Sequence, residues 1–178
     1  MTHFAREYGN ALYELAREEN MEETILEQLG RVKDCLEAQR DYVRLLCARN
    51  LEIDERIRLL DEAFGGSLHP YLLNFMKLLT GRGAMDYFFE CAEVYHTRFN
   101  EDHGIARATA VSAAPLTPEQ RQALVQKLEE ISGKRIELDT RVDASLIGGM
   151  QVDLEGRRYD NSIRTRLERM RRTLIESE

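Results

Sequence analysis

The sequence predicts a mainly α-helical protein in two parts: an N-terminal six-helix bundle over residues 1–104 and a small α+β domain over residues 105–178. Three observations support this fold class. Apolar residues recur at three- and four-residue intervals through the first hundred residues, which is the period of amphipathic helices. After Gly104 the pattern changes to the alternation of half-buried strands. The net charge of −7 is also unevenly divided, with −8 before Ile105 and +1 from there onward, which favours two modules with different partners.

Three helices are predicted in the first fifty residues. The apolar positions of the first helix are Phe4, Tyr8, Ala11, Leu12, Leu15 and Ala16. Asn20, followed three residues later by Glu23, is a candidate capping pair for the start of the second helix. The second helix carries its apolar stripe at Ile25, Leu29, Val32 and Leu36. A short third helix is predicted near Val43 and Leu46.

Glycine and proline mark the boundaries of the next three helices. The fourth begins near Asp54 and stops at Gly65-Gly66, because glycine is favoured just after a helix ends. Pro70 fits the first turn of the fifth helix, and Gly81 and Gly83 bracket its end. The sixth helix carries the apolar positions Met85, Phe88, Phe89, Ala92, Tyr95 and Phe99.

The sequence pattern of residues 105–178 predicts the order strand, helix, strand, strand, helix. A first strand begins at Ile105, and Thr117-Pro118-Glu119-Gln120 has the residues of a capping box at a helix start. Alternation then marks two strands, one at Ile136, Leu138, Thr140 and Val142 and one at Met150, Val152 and Leu154. Asp160 is predicted to cap a last helix with the stripe Ile163, Leu167, Met170 and Leu174.

The composition excludes several classes of protein. With 43% apolar and 32% charged residues, the chain is neither disordered nor membrane-spanning, and no apolar run reaches the ~18–20 residues of a spanning helix. The N-terminus lacks the pattern of a secretory leader. The acidic balance argues against a general nucleic-acid binder. We expect the three cysteines to be reduced in a cytosolic protein.

No catalytic, cofactor-binding or metal-binding motif is found. Gly148-Gly149 is not followed by the Gly-Lys-Ser/Thr of a phosphate loop, and Gly81-Arg82-Gly83 is not preceded by a strand. The four histidines are scattered along the chain, which is a poor pattern for a metal site. We therefore expect no catalytic residue, no cofactor and no metal.

Two features suggest binding, and each has a structural alternative. On the fifth helix, the positions Tyr71, Leu72, Phe75, Met76, Leu78 and Leu79 cover an arc of about 160°, wider than one core contact needs. This helix is either the most buried helix of the bundle or part of a groove for a partner helix. The last predicted helix is rich in arginine, which gives either a solvated face or a docking surface for an acidic partner.

Residues throughout the chain resemble one known family. The stretch from Ile136 to Glu155, with Asp160 and Ser162, resembles the signature of the delta subunit of bacterial F-type ATP synthase, whose mitochondrial counterpart is the oligomycin-sensitivity-conferring protein. The signature positions are Val142, Asp143, Leu146, Gly148, Gly149, Asp160 and Ser162. Asn74 and Phe75 match the family's fifth helix, whereas Gly9 stands where the family usually has alanine.

This resemblance implies a non-catalytic stator subunit. Such a subunit would link the catalytic head to the peripheral stalk at the cytoplasmic face of the bacterial membrane, and it would reach the membrane only through the complex. It implies two partners and no nucleic acid: the N-terminal segment of an alpha subunit, held between helices one and five, and the b subunit of the stalk, held by the C-terminal domain. The expected groove residues are Tyr8, Leu12, Tyr13, Leu72, Met76 and Leu79, and the expected stalk contacts are Arg166 and Arg169.

Two further hypotheses accompany this interpretation. Gly9 could allow a partner helix to approach closely, because it has no side chain. The alternative function is a cytosolic helical adaptor whose basic C-terminal tail binds an acidic protein or RNA.

Charge reversal at Arg166 and Arg169 tests the stalk contact. We expect the double change to glutamate to weaken binding of the b subunit, and to weaken it more at low salt, because ions screen exposed charges. The measurement is the dissociation constant across a salt series. A wild-type affinity that does not change with salt would contradict electrostatic docking here.

Overall fold

A computed structural model describes residues 2–48, 50–163 and 165. It confirms a mainly helical chain with a small sheet in its C-terminal part. The description of residues 1–104 as one six-helix bundle stays a prediction. In the described residues, no helix is both long enough and apolar enough to cross a membrane. The chain divides into two compact units, 1–99 and 100–178.

The N-terminal unit is built from helices joined by short connections. They are α1 (His3–Glu18), α2 (Glu22–Ala38), α3 (Arg40–Cys47), α4 (Ile53–Phe64), α5 (Pro70–Gly81) and α6 (Phe88–Asp102), with a 3-10 turn (Met85–Tyr87) before α6. The Thr2 hydroxyl accepts a hydrogen bond from the Ala5 N–H at the start of α1. At the start of α5, the Nδ1 atom of His69 accepts a hydrogen bond from the Tyr71 N–H.

The expected capping pair at the start of α2 is wrong. Asn20 has a φ of +55° and ends α1, because the N–H of Asn20 bonds to the Arg17 carbonyl and the N–H of Met21 bonds to the Ala16 carbonyl. These two hydrogen bonds form the left-handed C-terminal motif that asparagine tolerates. Met21 occupies the N-cap position of α2 and supplies no side-chain cap.

Two tyrosines join α1, α2 and α6 in the core of this unit. Tyr13 and Tyr95 are buried, with their rings edge to face and their centroids 5.2 Å apart. The Tyr95 hydroxyl donates a hydrogen bond to the Glu22 carbonyl at the start of α2. Burial raises the pKa of Tyr95 far above its usual range, so the hydroxyl stays protonated and remains a donor.

Arg56 stabilises the ends of two helices from inside the unit. This residue of α4 is 5% exposed, and its Nη1 donates hydrogen bonds to the carbonyls of Leu46 and Thr80. Both carbonyls belong to last turns, of α3 and α5 respectively, where helix dipoles favour a cation. One buried guanidinium thereby fixes the C-terminal end of α5 to the end of α3.

Gly9 lies where α6 packs against α1. A Cβ atom at Gly9 would lie 2.7 Å from the Val94 Cβ and 2.8 Å from the Cys91 carbonyl oxygen. The glycine therefore makes room for a helix of the same chain. The hypothesis that it admits a partner helix is wrong.

The C-terminal unit is a four-stranded sheet with one described helix, α7 (Pro118–Ser132). Its strands are β1 (Ile105–Ser112), β2 (Arg135–Val142), β3 (Met150–Leu154) and β4 (Arg157–Asp160). The order is β2-β1-β3-β4, with β1 and β2 parallel and the other pairs antiparallel. The Thr117–Gln120 capping box is confirmed, since each side chain accepts a hydrogen bond from the other residue's N–H.

The core of this unit combines small and large side chains. Ala106, Ala108 and Ala110 of β1 are fully buried and cluster with Leu128 of α7. The rest of the buried cluster is Leu138, Val152 and Leu154. Alanines on the central strand leave room for the leucines, as close packing requires.

The strand β4 is absent from the elements that the sequence predicts. Its residues are exposed or half-buried, so they lack the apolar alternation that marks a strand. Pairing with β3 through a two-residue turn holds it in place, and Glu155 and Gly156 of that turn have φ values of +50° and +83°. Two positive φ values are typical of the tightest hairpin turns.

Exchanging two helix glycines for alanine tests the close approach of α6. Gly9→Ala should lower the free energy of unfolding, because overpacking costs about 1–3 kcal/mol and outweighs the gain in helix propensity. Gly30→Ala in α2 is the matched control, since no atom lies within 4 Å of the position that a Cβ would occupy there. The control should raise the free energy of unfolding by about 0.5–1 kcal/mol. Urea unfolding of both variants measures the free energy of unfolding. Equal gains in stability for the two variants would contradict the close contact between Gly9 and α6.

Candidate functional site

An apolar groove of about 350 Å³ lies between α1 and α5. Its lining consists of Tyr8, Ala11, Leu12 and Leu15 from α1 and of Tyr71, Asn74, Phe75 and Leu78 from α5. Leu15 and Leu78 remain 40% and 44% exposed. Leucines held at the surface beside an apolar groove are typical of a site that a partner covers.

Aromatic and cationic contacts hold one end of the groove. The Tyr8 ring stacks on Phe4 with centroids 4.2 Å apart, and Phe4 contacts the Tyr87 ring. The Arg82 guanidinium lies over the Tyr8 ring, 5.5 Å from its centroid. These contacts fix the orientation of Tyr8 before any partner arrives.

The structure places the expected groove residues in two different environments. Tyr8 and Leu12 line the groove, as expected. The other four expected residues, Tyr13, Leu72, Met76 and Leu79, are at most 1% exposed and belong to the core. Their assignment to the groove is corrected, because side chains buried inside the chain leave no surface for a partner.

The wide apolar arc of α5 explains this division. One side of the arc packs into the chain's own core through Leu72, Met76 and Leu79, and the other side lines the groove. The missed lining residues are Ala11, Leu15, Tyr71, Asn74, Phe75 and Leu78. Helical spacing from Tyr8 to Leu15, and from Tyr71 to Leu78, is the signal that could have found them.

The signature turn in the C-terminal unit is shaped by its backbone. Asp143 accepts a hydrogen bond from the Ser145 N–H and opens a 3-10 turn that buries Leu146. Gly149 has a φ of +78°, and a Cβ there would lie 2.5 Å from the Asn161 carbonyl oxygen. A Cβ at Gly148 would lie 2.6 Å from the Ile163 Cδ1. Neither glycine could therefore carry a side chain without displacing its neighbours.

The signature positions are spread over one end of the sheet. Val142 is the last residue of β2 and is 57% exposed, whereas Ser162 is fully buried. The Asn161 N–H donates to the Met150 carbonyl, and the Ile163 N–H donates to the Gly148 carbonyl. The glycine turn and the segment around Ser162 are therefore joined through their backbones.

The helix that Asp160 is predicted to cap falls almost entirely on residues outside the described part of the chain, so that assignment stays a prediction. The Ser162 hydroxyl accepts a hydrogen bond from the Thr165 N–H, three residues later, which is the geometry of an N-cap. The Asp160 carboxylate accepts hydrogen bonds from the Ser162 N–H at 2.9 Å, the Thr165 hydroxyl at 2.7 Å and the Gln151 amide at 3.0 Å. These donors, with the Ser162 N–H first, lower the pKa of Asp160 to about 2.

The expected stalk contacts Arg166 and Arg169 lie outside the described residues, as do Leu167, Met170 and Leu174. Among the described arginines of this region, Arg157 and Arg158 lie exposed on β4.

The described part of the chain contains no group of three or more histidine, cysteine, aspartate or glutamate residues that could hold a metal ion. Cys91 is buried in α6, and burial raises the pKa of its thiol to about 12. A thiol with this pKa stays protonated and packs as a small apolar side chain.

Comparisons with known proteins point to one family. A model of the ATP synthase delta (OSCP) subunit family matches residues 4–174. ATP synthase subunit delta of Desulfitobacterium hafniense is 31% identical over 170 residues, covering 96% of this chain and 95% of that protein. The same subunit of Gloeobacter violaceus is 34% identical over 171 residues, covering 93% and 91% of the two chains.

One solved structure shares the whole fold. A chain in the cryo-EM structure of the Toxoplasma gondii mitochondrial ATP synthase hexamer matches with a TM-score of 0.73 and covers 98% of both chains. The identity between the two is 15%, so this likeness shows the fold.

Replacing Asp160 by asparagine tests the network around it. Folding lowers the pKa of Asp160 from its ordinary value of 3.8 to about 2. The ionised carboxylate therefore stabilises the fold in full above about pH 4. That stability is lost as the pH falls toward 2. Asp160→Asn should therefore lower the urea midpoint at pH 7, and the difference from wild type should shrink between pH 4 and the lowest accessible pH.

The control for this change is Asp139→Asn on β2. In the described part of the chain, this exposed carboxylate has one ion pair, to Arg141 at 3.9 Å. We expect its midpoint to follow that of wild type. A difference between Asp160→Asn and wild type that is the same at every pH would contradict a role for the charge.

Proposed function

The chain belongs to the ATP synthase delta (OSCP) subunit family, and from this membership and the groove we propose how it holds its partners. It is a non-catalytic stator subunit of the ATP synthase. We propose that the groove between α1 and α5 binds the N-terminal segment of an alpha subunit as an amphipathic helix. The adaptor alternative is set aside, because the family model and the two relatives described above, both of nearly equal length, are ATP synthase delta subunits.

The observation that supports this binding mode is the exposed apolar lining of the groove. An amphipathic helix buries its apolar face in such a groove through residues spaced three or four apart. Leu15 and Leu78 are the two lining leucines with most surface to lose, and burying one leucine stabilises a complex by about 1.5–3 kcal/mol. The groove is mostly apolar, as the core of a stable interface is.

The second half of the proposal concerns the stalk. We propose that the C-terminal unit, including Arg166 and Arg169, binds the b subunit at the cytoplasmic face of the bacterial membrane. The chain would then hold the catalytic head still while the rotor turns. Such a joint carries torque, which requires contacts large enough not to dissociate under load. The chain would reach the membrane through the complex alone.

Aspartate substitutions of exposed leucines test the groove. Leu78→Asp should weaken binding of a synthetic peptide of the alpha-subunit N-terminus by about 10- to 100-fold, because an anchor is lost and a charge enters the groove. Leu45→Asp on α3 is the matched control: Leu45 is 39% exposed, close to the 44% of Leu78, but lies outside the lining.

The measurement is calorimetric titration of the full chain, with circular dichroism of each variant to check folding. Both leucines are exposed, so neither aspartate enters the core. The control should bind the peptide as wild type does. If folded Leu78→Asp also binds with wild-type affinity, the alpha segment does not use this groove.

A further inference from the structure

Asn74 is the one amide side chain in the lining of the groove between α1 and α5. It lies on the exposed side of α5, next to Phe75 and one turn from both Tyr71 and Leu78. We propose that Asn74 selects the partner: the bound helix places one uncharged hydrogen-bonding side chain within its apolar stripe, opposite Asn74, and this pair sets the register. The proposal rests on the groove function proposed above and adds the chemistry of the partner.

In the part of the fold that is described, the Asn74 amide has no structural task. Among the described residues it takes part in no hydrogen bond, although an amide offers two donors and an acceptor oxygen. It caps neither end of α5, since His69 caps the start and the end lies beyond Thr80. Its hydrogen-bonding groups are free for water or for a ligand in the groove.

Helix stability also disfavours asparagine at this position. Asparagine is a poorer helix former than alanine or leucine, because its side chain competes for backbone hydrogen bonds. The surrounding lining positions Tyr71, Phe75 and Leu78 are aromatic or aliphatic, so an aliphatic residue would suit both the helix and the apolar surface. A residue that costs helix stability at an exposed apolar site points to a role in binding.

Covering the groove changes the energetics of this amide. A helix over the lining would remove water from Asn74, and a buried amide left without a partner loses affinity. A partner with a matching polar group replaces the lost water contacts, whereas an all-apolar partner does not. A single polar pair in an apolar seam therefore discriminates between partners and between registers of one partner, as buried asparagines do between helices of coiled coils.

The charge of the lining limits what the partner residue can be. The eight lining residues include no charged side chain. A lysine or glutamate buried opposite Asn74 would lose its hydration without meeting an opposite charge among the lining side chains. Serine, threonine, asparagine or glutamine satisfies the amide without that cost.

A double-mutant cycle tests the pair. The full chain, as wild type and as Asn74→Leu, is titrated with a synthetic peptide of the alpha-subunit N-terminus. It is also titrated with peptide variants in which each uncharged polar residue of the apolar stripe is replaced in turn by leucine. Asn74→Leu should weaken binding of the unchanged peptide by about 5- to 100-fold, because the peptide's polar group is left buried and unpaired.

One peptide variant should restore the affinity of Asn74→Leu while binding wild type more weakly, because replacing both partners by apolar groups is close to neutral. Asn10→Leu is the matched control, since Asn10 lies on α1 outside the lining. It should bind every peptide as wild type does. Asn74→Ala, which favours the helix, is measured in parallel and should show the same weakening.

The outcomes separate the two proposals. If wild type binds no peptide, the groove function fails and this inference fails with it. If wild type binds and Asn74→Leu binds the unchanged peptide equally or more tightly, the inference is overturned and the groove function stands. If Asn74→Leu weakens binding of all peptides alike and none restores it, the amide sets no pair and the inference is also overturned.

Discussion

The N-terminal unit depends on one constraint: α5 carries more apolar surface than the chain can bury. Leu72, Met76 and Leu79 fill the core on one side of this helix, the buried Phe75 borders the groove, and Leu78 lies on the side that remains open. Burial of the first set holds the helix in place, and the same placement leaves the second set in the groove. Stability and a surface for a partner therefore come from one helix.

The surrounding contacts make this groove rigid before a partner binds. Arg56 holds the end of α5, and α1 is held by the close contact of Gly9 with α6 and by the Tyr13–Tyr95 ring pair. The Thr2 N–H also donates to the Glu90 carboxylate at 2.7 Å. A preformed groove loses little conformational entropy on binding, which favours the durable contact that a stator requires.

In the C-terminal unit, backbone geometry holds the signature turn in place, whereas apolar packing holds the helices of the N-terminal unit. The turn at Gly149 fits against Asn161 because no side chain intervenes. The Asp160 carboxylate accepts hydrogen bonds from Gln151 of β3 and from Ser162 and Thr165, which follow Asp160 in the chain. The signature residues are therefore explained by how they hold the start of the C-terminal segment, whose arginines the proposed stalk contact requires.

The sequence alone determined the helical positions, the strands β1 to β3 and the capping box at Thr117, because each depends on local periodicity or on residues a few positions apart. Its resemblance also indicated the family. Local patterns did not show β4, which exists through pairing with β3. Only the tertiary structure decided that Met76 is core and Leu78 is groove, and that Gly9 serves α6. The physical reason is that periodicity shows which face of a helix is apolar, whereas the position of neighbouring helices decides which part of that face is covered.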